Sequence, residues 1–318
     1  MDRTGPNTLV AEAGSAAAHR GTRVALLLAA LPPLFWAGNF LVARAMRDAI
    51  PPFQMSFWRW ALAFVILIPF SWSAARKEGA RLRLELPFLA VLGLVGVTAF
   101  NCFVYAALQH TTVVNGALIN SLMPAATFLF ALVLLREPLP VQRVLGLAVS
   151  FAGAVAIIAG GRLDRIGDLR FNRGDLLILF GLTFWAAYTV LIRWYRTKLS
   201  PVLFLAATAG LGTVFHLPLV AWEAATTGGF SLSPATGAAI LYLAVFPSVL
   251  AYIFWNQAVA TLGPGRTAIF MHLMPIFSVV LAVVFLGERL YAYHVIGALL
   301  IVSGITLVTR PRAGRAAA

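Results

Sequence analysis

Two short stretches of the sequence repeat one pattern, and this repetition decides the fold. LLREPLPVQRVLG runs from Leu134 to Gly146, and FLGERLYAYHVIG runs from Phe285 to Gly297. Each stretch is an apolar run, then a single glutamate, a short polar break and a new apolar run with glycine at the same place. A shift of 151 residues, from 134 to 285, superimposes the two. One half of the chain therefore repeats the other.

The composition indicates an integral membrane protein. The 318 residues are 61% hydrophobic and only 11% charged, and the mean hydropathy is +0.88. Soluble domains carry about 25% charged residues, and a soluble chain of this size could not bury so much apolar surface. The net charge of +13 would suggest nucleic acid in a soluble chain. Here the charges lie between long apolar runs, so we read them as topology signals and expect the lipid bilayer, not nucleic acid, as the partner.

Ten apolar runs are long enough to cross a bilayer as helices, which takes about 20 residues each. They cover approximately 24–46, 52–72, 87–109, 113–135, 141–160, 175–195, 201–222, 236–260, 264–286 and 291–309. The predicted fold class is therefore an all-α, polytopic membrane protein with ten transmembrane helices.

The distribution of Lys and Arg predicts the orientation. Arg76, Lys77, Arg81 and Arg83 lie between spans two and three, and the loops on that side carry most of the basic residues. Because cytoplasmic loops are enriched in Lys and Arg, both termini are predicted to be cytoplasmic, although the 161–174 loop goes against this bias. Two stretches are predicted as cytoplasmic tails, the first of them disordered: 1–22 and 310–318.

The repeat extends well beyond the two opening stretches. A shift of 151 places Pro124 on Pro275, and a shift of 149 places Trp36 on Trp185. Each half holds five spans, and because five is odd the second half must enter the membrane inverted. Inverted five-helix repeats are typical of secondary transporters. The two repeats are predicted over 24–160 and 175–309.

Some repeated residues have structural interpretations. Glu137 and Glu288 lie at helix ends, where a carboxylate would accept hydrogen bonds from the N–H groups of the following helix; ion transport is the alternative. Pro124 and Pro275 lie mid-span and should bend their helices, either as static kinks or as hinges. Glycines spaced by seven residues on spans five and ten predict close helix packing: Gly146, Gly153, Gly297 and Gly304.

Several of these residues also carry a family resemblance. WAGNF (36–40), NGALINSLMP with LLREPL (115–139) and GPGRTAIFMHLMP with FLGERL (263–290) resemble the EamA-type repeats of the drug/metabolite transporter superfamily over nearly the whole chain. The resemblance implies a transporter with two inverted five-helix halves and cytoplasmic termini. It further implies location in the inner membrane and export of amino acids or other small metabolites through a cavity between the halves.

Polar side chains within apolar spans should face a cavity or a partner helix, because polar groups in lipid are costly. Amides, aromatic rings and a histidine converge from six of the predicted spans. For each residue, packing or interhelical hydrogen bonding is the alternative to substrate contact. The predicted substrate-binding residues are Trp36, Asn39, Asn101, Tyr105, Asn120, Trp185, Tyr188, Tyr252, Asn256 and His272.

The charged residues limit the classes of cargo that we expect. Arg59, between Trp58 and Trp60, either clamps a carboxylate or pairs with helix-end carbonyls, and we interpret it as structural. No acidic residue lies mid-span, which argues against exchange of cationic drugs for protons and favours a neutral or zwitterionic cargo in an uncharged polar chamber. No metal-ligand spacing such as HExxH occurs, so neither a metal nor another cofactor is expected.

Rival functions remain open from the sequence. A sugar-phosphate or nucleotide-sugar exchanger of the same superfamily would need at least two basic residues in its cavity. An intramembrane enzyme would need a mid-depth catalytic cluster, and a passive channel would need no coupling. The leading prediction is a secondary transporter, not an enzyme, that works by alternating access on a small-molecule substrate as a monomer or homodimer.

Overall fold

The computed structural model describes residues 6–107, 109–111, 113–162, 164, 172–287 and 289–310, which form helices and no strand. The first half contains α1 (Pro6–Ala45), α2 (Pro52–Leu92), α3 (Phe100–Ala107), α4 (Val113–Asn120), α5 (Met123–Leu135) and α6 (Val141–Ile158). The second half contains α7 (Arg173–Tyr195), α8 (Pro201–Thr227), α9 (Pro234–Leu243), α10 (Ala251–Leu262), α11 (Pro264–Ala268), α12 (Leu273–Leu286) and α13 (Ala292–Thr309).

Nine helical stretches in the described part of the chain are long and apolar enough to cross a membrane. One of them, Pro52–Ala107, is 56 residues long and would measure about 84 Å as a straight helix. Nevertheless, Arg59 Nη1 lies 2.7 Å from the Tyr105 hydroxyl oxygen. The chain must therefore turn back within this stretch, which contains both predicted spans two and three.

Equivalent helices of the two halves pack in opposite directions. In the pair formed by α6 and α13, the Gln142 amide donates to Leu307 O at 2.7 Å, while a Cβ on Gly153 would lie 2.5 Å from Gly297 O. This antiparallel contact confirms the close packing predicted from the glycines, because only residues without a side chain let the two backbones approach so closely.

The pair formed by α2 and α8 is antiparallel as well. Glu223, near the end of α8, accepts the N–H of Gln54 at 2.8 Å, at the start of α2. At the opposite end, the Ser200 N–H donates to Glu78 at 2.8 Å. In each pair, the two helices are the same span of the two halves, and they run antiparallel. The prediction of two inverted repeats is therefore confirmed.

Spans four and nine are interrupted at equivalent places. In span four, α4 ends at Asn120 and α5 begins at Met123. In span nine, a 3-10 segment over Ile269–His272 precedes α12. Pro124 and Pro275 therefore lie in the first turn of a new helical segment, where the missing proline N–H removes no helix hydrogen bond. The spans are broken just before these prolines, and their role as hinges stays a prediction.

Spans three and eight share a feature that the sequence did not predict. Each contains a seven-residue π-helical segment, Gly93–Ala99 in the first half and Ala244–Leu250 in the second. The two segments are related by the same shift of 151 residues, from 93 to 244. A π-helical turn displaces backbone hydrogen bonds and often marks a functional site.

Two expectations differ from the structure. The tail predicted to be disordered over 1–22 is helical from Pro6 onward, because its Ala-rich sequence favours helix and continues into span one. Glu137 does not cap the following helix: α6 has Pro140 at its N-cap and no side-chain cap, and the Glu137 carboxylate lies 4.0 Å from Arg143 instead. Glu288 lies outside the described residues, as do 1–5 and 311–318 of the predicted tails.

Candidate functional site

Six aromatic side chains meet at the centre of the molecule and are almost fully buried. The rings of Trp36 and Trp185 are 5.0 Å apart at 86°, and those of Trp60 and Tyr252 are 4.7 Å apart at 86°. These edge-to-face arrangements place the positive edge of one ring on the negative face of the next, which stabilises the cluster beyond its burial. We call this group the aromatic cluster: Trp36, Trp60, Trp185, Tyr188, Tyr252 and Trp255.

Repeat-related residues contact each other at this centre. Trp36 touches Trp185, and the Asn101 amide lies 3.4 Å from the hydroxyl of Tyr252, which is 151 residues further along. His272 Nε2 lies 2.9 Å from the carbonyl of its own counterpart, Ser121. A residue can contact its counterpart only close to the axis that relates the two halves. The aromatic cluster therefore lies on that axis.

The π-helical segments orient the side chains around the cluster. The Gly96 carbonyl accepts the Tyr252 hydroxyl at 2.8 Å, and the repeat-related Pro247 carbonyl accepts Trp36 Nε1 at 3.1 Å. Asn101 donates from Nδ2 to Val97 O at 2.8 Å. Backbone acceptors released by the two π-helical segments thus fix the rings and the amide in place.

Arg59 lies beside the cluster and is only 1% exposed. Its Nε donates to Ser248 Oγ at 2.8 Å, and its Nη1 donates to Asn39 Oδ1 at 3.0 Å and to the Tyr105 hydroxyl at 2.7 Å. The guanidinium also lies 5.4 Å from the centre of the Trp60 ring. These described partners are side chains and not helix-end carbonyls, so the structural interpretation of Arg59 was wrong in that respect.

Arg59 also corrects the expectation of an uncharged chamber. Within the described residues, no Asp or Glu lies within ion-pair distance of its guanidinium. The buried carboxylates have other partners: Glu223 accepts the first N–H groups of α2, Asp175 accepts from the Asn172 N–H and from Asn115, and Glu85 accepts from the Thr197 hydroxyl. A positive charge with no carboxylate partner among the described residues therefore lies at the centre of the molecule.

A cavity of about 280 Å³ adjoins this group. We call it the wide chamber, and its wall is mostly apolar. It is lined by Phe40, Gly116, Ala117, Asn120, Ser121, Ile157, Ile158, Met271, Met274, Pro275, Ser278, Val279 and Ala282.

The wide chamber continues into a smaller, more polar space of about 20 Å³, which we call the narrow end. Phe40, Asn120, Met271 and Met274 line both spaces. The narrow end has room for about one water molecule. It is lined by Trp36, Asn39, Phe40, Arg59, Phe100, Asn101, Val104, Asn120, Trp185, Tyr252, Met271 and Met274.

The wide chamber lies on the side of the molecule away from the termini. Most of its residues belong to α4, which begins on that side, to the end of α6 and to the part of α12 that leads towards that side. All three regions adjoin connections on that side, because α1 runs from the N-terminus towards it and the helices alternate in direction. Ser278, in the chamber wall, is exposed.

Six of the ten predicted binding residues line the narrow end: Trp36, Asn39, Asn101, Asn120, Trp185 and Tyr252. Tyr105 lies behind Arg59 and donates to Asn39 Oδ1 at 2.7 Å. Whether any of these side chains binds a substrate stays a prediction.

The other three predicted binding residues lie away from both spaces. Tyr188 is packed in the aromatic cluster and donates to Asn256 Oδ1 at 3.2 Å. Asn256 lines a different cavity, towards the termini, together with Arg193 and Arg196. His272 Nδ1 lies 2.7 Å from Ser150 Oγ and its Nε2 2.9 Å from Ser121 O, so both ring nitrogens already join helices.

Sequence reasoning missed Phe40, Met271 and Met274, which form much of the chamber wall. Their one signal is helical spacing: Phe40 lies four residues after Trp36, and Met271 and Met274 are three residues apart. Apolar residues in an apolar span carry no other mark of a cavity. In the described part of the chain, no three His, Cys, Asp or Glu residues are grouped to hold a metal ion.

Comparison with known proteins agrees with this architecture. The model of the EamA-like transporter family matches residues 23–159 and 172–310, one match in each half. The chain belongs to the EamA-like transporter family. It is thus a multi-pass membrane protein, and members of this family are transporters and not enzymes. The resemblance inferred from the repeated motifs is confirmed.

Alignments with individual relatives extend over most of the chain. An uncharacterized transporter of Archaeoglobus fulgidus is 31% identical over 89% of this chain and 96% of its own length. The uncharacterized transporter YyaM of Bacillus subtilis is 28% identical over 86% of this chain and 89% of its own. A probable terminal-alkyne amino-acid exporter of Streptantibioticus cattleyicolor is 27% identical over 88% and 91%.

One solved crystal structure shares the fold. Its TM-score is 0.72 at 22% sequence identity, and the match covers 90% of this chain and 96% of that one. At this sequence identity the match supports the fold alone.

Proposed function

We propose that this protein is a secondary transporter that exports neutral or zwitterionic small metabolites, with aromatic and other hydrophobic amino acids as its main cargo. It would act in the cell inner membrane, with both termini cytoplasmic, by alternating access between the two halves. The observation that carries the proposal is the wide chamber beside the repeat axis, together with the burial of the described residues that are equivalent to its wall in the other half.

The residues equivalent to the chamber wall support alternating access. Ser278 is exposed in the wide chamber, whereas Thr127, 151 positions earlier, is 0% exposed. Phe128 and Ala131 are likewise buried at 3% and 1%, although the residues equivalent to them line the chamber. Two similar halves in different packing states are what a transporter needs in order to expose one site to each side in turn.

The chamber suits a small, partly apolar cargo. About 280 Å³ is close to the lower end of typical ligand pockets, which start near 300 Å³. Met271, Met274 and Ile157 offer an apolar wall, and Asn120 offers an amide where the wide chamber meets the narrow end. A hydrophobic amino acid has this size and mixture of surfaces, and the relative named as a probable amino-acid exporter points the same way.

The rival cargo of sugar phosphates or nucleotide sugars fits less well. Phosphate recognition favours two or more Arg or Lys groups around one anion. Of the described residues that line the two spaces, Arg59 is the one that carries a charge. A nucleotide sugar also exceeds the space that the wide chamber provides.

Counterflow in liposomes tests the proposal. Purified protein is reconstituted into vesicles loaded with unlabelled phenylalanine or leucine, and uptake of the labelled amino acid is followed. We expect saturable uptake that internal amino acid accelerates, because exchange requires a carrier that binds on both sides in turn. Exchange of sugar phosphates alone would overturn the proposed cargo, and unsaturable uptake without acceleration would indicate a channel.

A further inference from the structure

Arg59 carries an inference that rests on the proposed function and deepens it. We infer that its guanidinium anchors the carboxylate of the transported molecule at the narrow end of the cavity. Cargo would therefore be selected by a negatively charged carboxylate attached to an apolar body, with the carboxylate as the recognised group.

The first support is the unbalanced charge. A buried cation is costly unless an anion or a set of hydrogen bonds replaces its water. Three described side chains accept from Arg59, and the rings of Trp60 and Tyr105 lie 5.4 and 5.8 Å from the guanidinium. All of these partners are neutral acceptors or π faces. A carboxylate bound in the cavity would supply the countercharge that the described residues do not.

The second support is the set of unused donors. The Arg59 hydrogen bonds use Nε and Nη1, and Nη2 has no partner among the described residues. Trp185 Nε1 is also buried and has no hydrogen-bond partner in the described part of the chain. Both side chains line the narrow end. Because a carboxylate accepts through two oxygens and pairs especially well with guanidinium, these donors match it chemically.

The third support is an acceptor in the same space. Asn101 directs Nδ2 to the carbonyls of Val97 and Gly96, which leaves Oδ1 with no described hydrogen bond. The side chain also lines the narrow end. An ammonium group beside the carboxylate would find its acceptor here. The lining of the narrow end thus includes a donor for a carboxylate and an acceptor for an ammonium group, the two charged groups of a zwitterionic amino acid.

The dimensions fix the direction in which the cargo lies. The narrow end holds about 20 Å³ and the wide chamber about 280 Å³, so a ring fits only in the wide chamber, and the narrow end takes one carboxylate oxygen in place of a water molecule. The carboxylate would point to Arg59, and the apolar side chain would lie against Met271 and Met274.

Paired substrates test this assignment without altering the protein. Phenylalanine and phenylalaninamide share the ring and the amino group, but the amide lacks the carboxylate. In liposome counterflow we expect the amide to be exchanged at least about tenfold more slowly, because a charge-assisted hydrogen bond contributes roughly 1.5–3 kcal/mol. Equal exchange of acid and amide would overturn the anchor and leave the proposed function standing. If neither molecule is exchanged, the proposed function fails for amino acids, and the anchor fails with it.

Variants of Arg59 then test the residue itself. Arg59→Gln should lower exchange of the acid by about tenfold or more, to the level of the amide, while Arg59→Lys should recover part of the difference because it keeps the charge. Arg47→Gln is the matched control, since Arg47 lies near the same face but is exposed and paired with Asp48 at 3.2 Å. Size-exclusion profiles establish that each variant is folded. A folded Arg59→Gln protein that still prefers the acid tenfold would overturn the assignment.

Discussion

Spans four and nine carry related residues in related positions, but the two faces of the molecule pack them differently. On the open face, Ser278 and Val279 of span nine line the wide chamber. On the sealed face, their counterparts Thr127 and Phe128 of span four are 0% and 3% exposed. We call the side of the molecule that holds the wide chamber the open face, and the side towards the termini the sealed face.

The contrast teaches that part of the asymmetry lies in the conformation, because some equivalent positions carry the same residue. Met274 and Pro275 on the open face correspond to Met123 and Pro124 on the sealed face, so the two faces share chemistry at these positions. If each half adopted the packing of the other, the chamber would move to the side of the termini. That exchange is the account of transport that the proposed function requires.

One contact closes the sealed face. A Cβ added to Gly265 would lie 2.5 Å from a ring carbon of Phe128, so the absence of a side chain at Gly265 lets the ring fill the space where a chamber would form. Phe128 also belongs to a buried apolar cluster with Ala258 and Ile269. Opening this face requires that the ring leave Gly265.

The largest expected effect comes from the seam between α6 and α13, which is common to both faces. Gly153→Ala would place a Cβ 2.5 Å from Gly297 O and 2.9 Å from Ile301 N. Because both neighbours are backbone atoms, the helices must separate, and we expect a loss of about 3 kcal/mol in unfolding free energy. Thermal unfolding in detergent measures it.

Gly237→Ala is the control for this seam, since a Cβ there meets no atom of the described residues within 4 Å. Its stability should stay the same or rise, because alanine favours helix over glycine. Equal melting temperatures for Gly153→Ala and the wild type would show that the seam is not tightly packed.

A smaller effect is expected from a substitution that acts on the sealed face alone. Gly265→Ala strains only the sealed state, at about 2 kcal/mol, and should therefore raise the population open towards the termini by more than tenfold. The rate at which a thiol reagent modifies Thr127→Cys in the same chain reports this change. Adding Phe128→Leu to the Gly265→Ala chain should reverse this change, because the smaller side chain makes room for the alanine methyl group.

The control on the open face is Gly116→Ala, whose nearest neighbour is the flexible end of Ile178 at 3.2 Å. Its effect on the modification rate should stay within a few fold. If the two alanine variants behaved alike, the Phe128 contact would not be what closes the sealed face.

The smallest expected effect compares two equivalent methionines. Met123 is 0% exposed on the sealed face, and Met274 is 8% exposed in the chamber wall. Truncating a fully packed side chain leaves a new cavity, whereas truncating one beside an existing cavity removes fewer contacts. Met123→Ala should therefore destabilise the protein by about 1 kcal/mol more than Met274→Ala, as read from thermal unfolding. The reverse order would contradict the assignment of packed and open faces.

The sequence sufficed for features that depend on local pattern. The pattern around Glu137, which recurs around Glu288, predicted the repeat. The glycines at 146 and 153 predicted the helix seam. Both signals were available because hydropathy and small-residue spacing are read along a single helix. The polar residues within apolar runs likewise pointed to the centre of the molecule.

Features that depend on contacts between several helices could not be predicted from the sequence. Arg59 finds its partners on α1, on α3 and in the second π-helical segment, and no pattern around residue 59 specifies that meeting. The π-helical segments were missed because their spans are apolar on every side and show no period. Gly93, Gly96 and Pro247 were the signals available there, and they indicate a break without indicating its kind.

The most direct test compares a matched pair of cysteines on the two faces. Ser278→Cys and Thr127→Cys are placed singly in a Cys102→Ala chain, because Cys102 is the one natural cysteine. A membrane-impermeant maleimide is applied to each side of vesicles, without substrate and then with it. We predict that Ser278→Cys is modified at least about tenfold faster than Thr127→Cys without substrate, and that cycling substrate raises modification of Thr127→Cys from the opposite side. Equal modification of both cysteines from the same side, unchanged by substrate, would contradict a site that opens to each face in turn.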